Sequence, residues 1–307
     1  MDTVYRKFYR GMYLNTGGFI PSKPINQSIY PGDFFQIKNG EIIVLGNIFR
    51  KCIVDPEAVE IEYDVKLNPA NWRFGEGVTK PYSGRGTGNN PIEGDFEFSK
   101  QILAFKKQGS YFFKGTEPRA VKILNWTDIW QQLIIKLTQT FYSFRDIYVV
   151  TECATMDSWT LAISSSKKAE LEIATDSENF GLVDIFGHAS ARTVQSKDIE
   201  YYHRQSTRKP TFFKAKKLAV QNEKLDVFIS ELINERLCQS EWANDFFQCD
   251  FDNEPYSFAP RMSRNAQVGV LDMLQANELN PNTALLYFRW EDTNLDDVEK
   301  LFLSYGS

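Results

Sequence analysis

Between Trp159 and Ile173 one parity of the chain reads Trp159, Leu161, Ile163, Ser165, Lys167, Ala169, Leu171 and Ile173, while the other is mostly Thr, Ala, Ser, Lys and Glu. A period of two puts these sets on opposite faces of a β-strand. The pattern persists for roughly fifteen residues, whereas strands commonly run about 5–6. The stretch Arg145–Ser177 therefore predicts two strands, the second (159–175) unusually long and polar on one face.

The rest of the chain is punctuated more conventionally. Asn39-Gly40 between FFQIK and EIIVLG predicts a tight hairpin with strands at 33–38 and 41–46. Residues 57–67 alternate, with Val59, Ile61, Tyr63, Val65 and Leu67 on one side, and predict a half-buried strand. GEGVTKPYSGRGTGNNPIEG (75–94) reads as a flexible excursion, followed by extended segments on either side of Gly109. Trp126, Ile129, Trp130, Leu133 and Leu137 form a helical stripe, with Asn125 or Thr127 as N-cap. An extended region at 180–203 is broken by small residues at 187–191. Leu225, Phe228, Ile229, Leu232, Ile233 and Leu237 predict an amphipathic helix, and two shorter helices follow. One covers about 266–277, and the other follows Thr293, whose spacing to Asp296 fits a capping box.

Length and composition narrow the function. The 307 residues suffice for a large core, and the apolar share of 42% excludes a disordered chain. No apolar run approaches the ~18 residues of a membrane helix. The first residues, MDTVYRKFYRGMY, lack the apolar core of a signal peptide, so a soluble cytoplasmic start is expected. Cys52, Cys153, Cys238 and Cys249 are scattered, and are expected to be free and mostly buried, with no metal and no cofactor. Only His188 and His203 could serve a nucleophile, and neither accompanies a G-x-S-x-G turn. SGRGTGNN lacks the Lys-Ser/Thr of a phosphate loop, and Glu170 with Glu172 reads as a solvated face. A non-enzymatic protein is expected.

Charge changes the picture further. Residues 1–220 carry 29 Lys and Arg against 24 Asp and Glu, whereas residues 221–307 carry 6 against 16. An acidic tail after a basic body either covers a basic surface or solubilises the chain. The basic run holds Arg204, Arg208, Lys209, Lys214, Lys216 and Lys217 beside Phe212 and Phe213. Such a run suits the phosphates of nucleic acid or of anionic lipid, or simply guards a strand edge.

At Asp146-Ile147-Tyr148-Val149-Val150-Thr151-Glu152 the chain resembles the gasdermin family, in which a helix precedes a strand of this kind and a long hairpin follows. The resemblance extends more loosely over residues 1–220, through Phe19-Ile20-Pro21, the hairpin ending in Leu45-Gly46-Asn47, and the closing basic strand. It implies an α+β fold, with a twisted, mainly antiparallel sheet, surrounding helices and a small, mostly helical C-terminal segment. It also implies a latent pore-forming domain at 1–222 held closed by an inhibitory segment at 223–307, with a cleavable linker at about 240–267 in which Arg261 and Arg264 are candidate sites. Once released, the domain would self-oligomerise, and hairpins at about 77–118 and 157–203 would enter the membrane as a β-barrel. Barrel strands need about 9–11 alternating residues. Leu161, Ile163, Leu171 and Ile173 would then face lipid, while a charge at Thr160 or Glu172, on the other face, should be tolerated. Lys106, Lys107, Arg208, Lys209, Lys214, Lys216 and Lys217 would meet anionic head groups. Implied partners are anionic membrane lipids, an activating protease and further copies of the chain, with no nucleic acid. The protein would be cytoplasmic when latent and at the cell membrane, permeabilising it in cell death or defence, when active. The alternative reading is an interaction or scaffold protein whose basic, nucleic-acid- or partner-binding face is masked by the acidic tail.

Overall fold

The computed structural model describes residues 2–90, 94–140, 147–176, 192–220, 285 and 288–303. The chain opens with a helix, α1 (Asp2–Thr16), that the basic-aromatic spelling of this segment concealed. Val4, Phe8 and Met12 recur every four residues and are buried, which gives the helix its inward stripe. β1 (Ile20–Pro21), β2 (Asp33–Lys38) and β3 (Glu41–Asn47) follow, the last two joined by Asn39 and Gly40, both at positive φ. That is the primed turn the Asn-Gly pair predicts.

β4 (Ile61–Lys66) is shorter than its alternation suggested. Asp64 sits at a φ of 62° and the pairing shifts between Glu62 and Val65, so the period breaks and Tyr63 is left 69% exposed. The glycine-rich excursion is also a strand. β5 (Arg73–Glu76) runs into β6 (Val78–Asn90), which pairs with β7 (Gly94–Phe105) from Val78↔Phe105 to Asn90↔Gly94. Pairing is a backbone interaction, so a continuous partner strand overrides the poor strand propensity of Gly84, Gly86 and Gly88.

β8 (Tyr111–Thr116) and β9 (Arg119–Ile123) lead to α2 (Trp126–Thr140), whose Ile129, Leu133 and Leu137 are buried as the stripe predicts. Asn125 does more than precede the helix. Its Oδ1 accepts from Glu60 N at 2.8 Å and its Nδ2 donates to Ala58 O at 2.8 Å, tying the approach to β4 against the helix start.

β10 (Ile147–Thr155) contains the Tyr-Val-Val-Thr-Glu motif and lies at the centre of the largest sheet. The predicted 159–175 strand is two strands, β11 (Ser158–Ser164) and β12 (Glu170–Asp176). Then come β13 (Arg192–Lys197), β14 (Ile199–Gln205), β15 (Phe212–Val220), β16 (Phe288–Asp292) and a short helix, α3 (Leu295–Lys300). The capping box of α3 is real but starts one residue later than expected, on Asn294 with Asp297 as its third residue. The amphipathic stretch at 222–237, the helix at 266–277 and residues 180–191 lie outside the described residues.

Among the described residues every pairing is antiparallel. The eight-stranded sheet has the order β1-β15-β10-β2-β3, with β16 beside β15 and with β9 and β4 beyond β10. Its two faces are both covered. Tyr148 and Val150 pack in the cluster that contains α1, whereas Ile147 and Val149 pack in the one that contains α2. The fold is α+β, as expected. Among the described residues no helix is long and apolar enough to cross a membrane, which says nothing of strands.

Two cysteines are described, and they differ. Cys52 is exposed, against expectation, while Cys153 is buried on β10 and burial pushes its thiol up to about 12. A thiolate-directed reagent at pH 8 should modify Cys52 in the folded protein within minutes and leave Cys153 intact until denaturant is added, as read by peptide mass spectrometry.

Candidate functional site: two bent hairpins beneath a C-terminal clasp

Two four-stranded sheets share the same four chain segments. One has the order β14-β11-β8-β5, the other β13-β12-β7-β6. Each strand of the first continues into its counterpart in the second. The pair is thus one four-stranded ribbon, built from hairpins 73–116 and 158–205, with a bend across its middle. The gasdermin resemblance implied hairpins at about 77–118 and 157–203.

The bend has a consistent backbone cause. The edge strands are each interrupted by one residue at positive φ, Gly77 (66°) and Asp198 (54°), and the inner strands by the connections 106–110 and 165–169, which hold Gly109 (73°) and Lys168 (68°). The left-handed region reverses the local direction of a strand, and costs little for glycine but about 1–2 kcal/mol for other residues. Hydrogen bonds stitch the four bends together. Lys106 N donates to Gly77 O at 2.8 Å, Gly109 N to Ser164 O at 2.9 Å, Lys168 N to Phe105 O at 3.2 Å and Ser165 N to Asp198 O at 3.0 Å. Ser166 Oγ adds a bond to Asp198 Oδ2 at 3.0 Å.

This bend corrects the idea of one continuous apolar face. Leu161, Ile163, Leu171 and Ile173 are all at most 1% exposed, but they enter different clusters. Leu161 and Ile163 pack with Phe8, Phe113 and Trp159 beneath α1. Leu171 and Ile173 pack with Leu103, Phe105, Phe112 and Ala162. Ala162 has the opposite parity to Leu161, so the parity that faces α1 before the bend joins the other side after it. Thr160 is likewise buried, 1% exposed with its hydroxyl unpartnered, so a charge there would not be tolerated as expected; Glu172 is half-buried and would accept one.

The described end of the acidic tail clasps the body. β16 extends the large sheet along β15, from Phe288↔Val220 to Asp292↔Lys216. Trp290 stacks edge-on against Trp126 and donates from Nε1 to Trp130 O at 3.1 Å. α3 then packs against the motif strand, Val298 and Leu301 sharing a cluster with Tyr148 and Val150. Asp297, 3% exposed, accepts from Tyr148 Oη at 2.8 Å and lies 3.3 Å from Lys217 Nζ and 3.6 Å from Lys300 Nζ. Its other oxygen accepts from Asn294 N at 3.0 Å. Glu299 pairs with Arg6 and Arg10 of α1, Asp292 pairs with Lys216 at 2.6 Å, and Lys23 donates to Leu301 O while sitting over the Phe302 ring. Within 288–303, the acidic residues Asp292, Asp297 and Glu299 thus pair with basic residues of the body. The charge asymmetry allowed this contact alongside a merely solubilising tail, and did not single out Asp297, Glu299 or Tyr148.

The predicted head-group residues do not form one patch. Lys106 and Lys107 are exposed at the bend, with Lys107 3.3 Å from Glu76. Arg208 and Lys209 are exposed between β14 and β15, where Arg208 pairs with Asp157 and Asp64. Lys214 pairs with Glu152 at 3.2 Å, while Lys216 and Lys217 lie under the clasp. Arg261 and Arg264, like His188, lie outside the described residues. His203 lies against Trp159 with the ring centres 4.7 Å apart and the planes tilted by 37°; burial lowers its pKa, with a hydrogen bond with Gln205 acting the other way. It borders a cavity of about 670 Å³ with Tyr5, Tyr9, Tyr201 and Phe302, between α1, β14 and the clasp.

Among solved structures, the chain is similar to a cryo-EM structure of the gasdermin A3 membrane pore, at a TM-score of 0.31 and 10% identity, over 70% of this chain and 90% of that one. No protein-family model matches the chain, and no curated protein matches it.

Proposed function

We propose that this is a non-enzymatic, latent membrane-permeabilising protein, whose bent hairpins straighten and enter a bilayer as barrel strands once the clasp is withdrawn. The observation that carries the reading is the ribbon itself. Two adjacent hairpins share one hydrogen-bonded strand order on both sides of the bend, and straightening would extend the inner connections and slide the edge strands by four residues, an even step that keeps every side chain on its face. Segments 73–90, 94–116, 158–176 and 192–205 each exceed the about 9–11 residues a barrel strand needs. Closed barrels satisfy every backbone group in lipid, which open ribbons do not. Straightening would also return Leu161, Ile163, Leu171 and Ile173 to one face, as their shared parity requires.

Release is the other half of the proposal. The clasp covers lysines on β15 that suit anionic head groups, and cleavage within about 240–267 would turn a tethered clasp into a dissociable one. Before release the protein would remain in the cytoplasm; afterwards it would assemble at the cell membrane. The test is dye release from anionic vesicles by the full chain carrying a specific protease site in 240–267, before and after cutting. Leakage only after cutting is expected. Equal behaviour, or silence in both, would remove the reading.

A sharper probe follows from the burial pattern. Leu171→Lys should destabilise the intact fold by several kcal/mol, since Leu171 is fully buried, and should abolish leakage at about 2–4 kcal/mol per inserted site. Glu172→Lys should leave melting temperature and leakage near those of the parent. A folded Leu171→Lys protein that leaks at the parent rate after cutting would exclude β12 as an inserting strand.

A further inference from the structure

The clasp strand occupies a position that another strand can take. On β15, residues Lys216 and Lys217 pair with β10 on one side and with β16 on the other. Withdrawing the tail therefore opens a row of unpaired backbone groups along Lys216–Val220, a liability that proteins rarely leave exposed. At the opposite end of the same sheet, β3 pairs with β2 and has no second partner strand among the described residues. Its sequence, EIIVLGN, is strongly apolar, with Ile43 41% and Val44 38% exposed. β16, by contrast, is five residues long and carries Arg289, Glu291 and Asp292, the composition of a strand that ends a sheet.

We infer that β3 of one copy replaces β16 on β15 of the next copy, so that the clasp suppresses assembly by occupying the growing edge. Strand direction supports this occupant. Three successive antiparallel pairings separate β15 from β3, so β3 runs opposite to β15, as β16 does. A second copy rotated about an axis along the strands then meets the vacated edge in the sense β16 had, with no chain reversal. Side chains agree as well. Phe288 and Trp290, two apart, pack in the cluster that contains α2 and Leu218. In β3, Ile43 and Leu45 have the same spacing, and Leu45 already packs on that side of its own sheet. With Leu45 opposite Leu218 and Ile43 opposite Val220, aliphatic side chains take the places of Trp290 and Phe288, and Val44 falls opposite Ala219. Because the two edges lie at opposite ends of one sheet, the contact is heterologous and repeats from copy to copy, closing into a ring if the rotation allows.

The inference rests on the clasp being removable, but its test does not depend on membranes. Full-length Cys52→Ser protein would carry Asp297→Arg or, separately, Trp290→Asp to displace the clasp. Each would be prepared in two forms, Val44→Cys and Ala219→Cys. The forms would be mixed and mildly oxidised, then examined by light scattering and by mass spectrometry of cross-linked peptides. The expected result is oligomers joined by 44–219 disulfides, absent from the same cysteine forms with the clasp intact. Adding Ile43→Lys, at an already exposed position, should weaken association by roughly tenfold. Displaced chains that stay monomeric, that cross-link elsewhere, or that assemble equally with Ile43→Lys would overturn it, as would equal cross-linking with the clasp intact. Vesicle leakage without 44–219 cross-links would leave the proposed function standing and remove this contact. Cross-linked rings that never leak would do the reverse.

Discussion

Uncut protein carrying Asp297→Ala should leak anionic vesicles that the parent leaves intact. Asp297 is the point where the clasp meets the motif strand, held by the Tyr148 hydroxyl and by two lysines. Hydrogen bonds to a charged group contribute about 1.5–3 kcal/mol, and removing one partner of a fully buried ion pair costs more. The lysines here are not fully buried, with Lys217 25% and Lys300 26% exposed, so water relieves part of their loss and the lower range applies. That corresponds to an about 10- to 150-fold shift toward the undocked clasp. The substitution also removes the carboxylate that caps α3 at Asn294, which acts in the same direction. Asp297→Asn keeps an acceptor for Tyr148 but lacks the charge, and should fall between the parent and Ala. Dye release and limited proteolysis within 288–303 read the two effects separately. Unchanged protection of that segment in Asp297→Ala would show that the clasp is held elsewhere.

Two substitutions in the bend should act with opposite signs. Gly77→Val places a β-branched side chain at a φ of 66°, where a Cβ would also collide with Ser110 Oγ. The bent form should lose at least about 1–2 kcal/mol, while an extended backbone at 77 becomes easier. Lys168→Gly relieves the cost of a non-glycine residue at 68° and should stabilise the bent form by about 1 kcal/mol. If insertion requires straightening, cut protein with Gly77→Val should leak about 5–30-fold faster than the parent. Lys168→Gly should leak several-fold more slowly. Thermal melting of the uncut proteins gives the stability signs independently. Leak rates that ignore both substitutions while the melts shift as described would separate the bend from the insertion step.

The sequence by itself determined whatever depends on a residue and its near neighbours. Asn39-Gly40 specified the β2–β3 turn because two successive positive φ values suit those residues. Ile129, Leu133 and Leu137 specified the buried face of α2 because 3.6-residue periodicity leaves one inward side. The +5 and −10 balance of body and tail left open whether the tail covers a basic surface or only solubilises the chain, and named no carboxylate that would be buried. Tertiary structure decided what depends on partners distant in the chain. β6 is a strand despite its glycines because β7 pairs with it throughout, and β4 loses its alternation at Asp64 where its pairing with β9 shifts. The break between β11 and β12 was invisible for the same reason. Lys168 and Asp198 have no local preference strong enough to announce a left-handed conformation, and they adopt it where four neighbouring strands bend together. Local alternation records only which side of a strand a residue occupies, so it cannot reveal a bend that moves that side from one core to another.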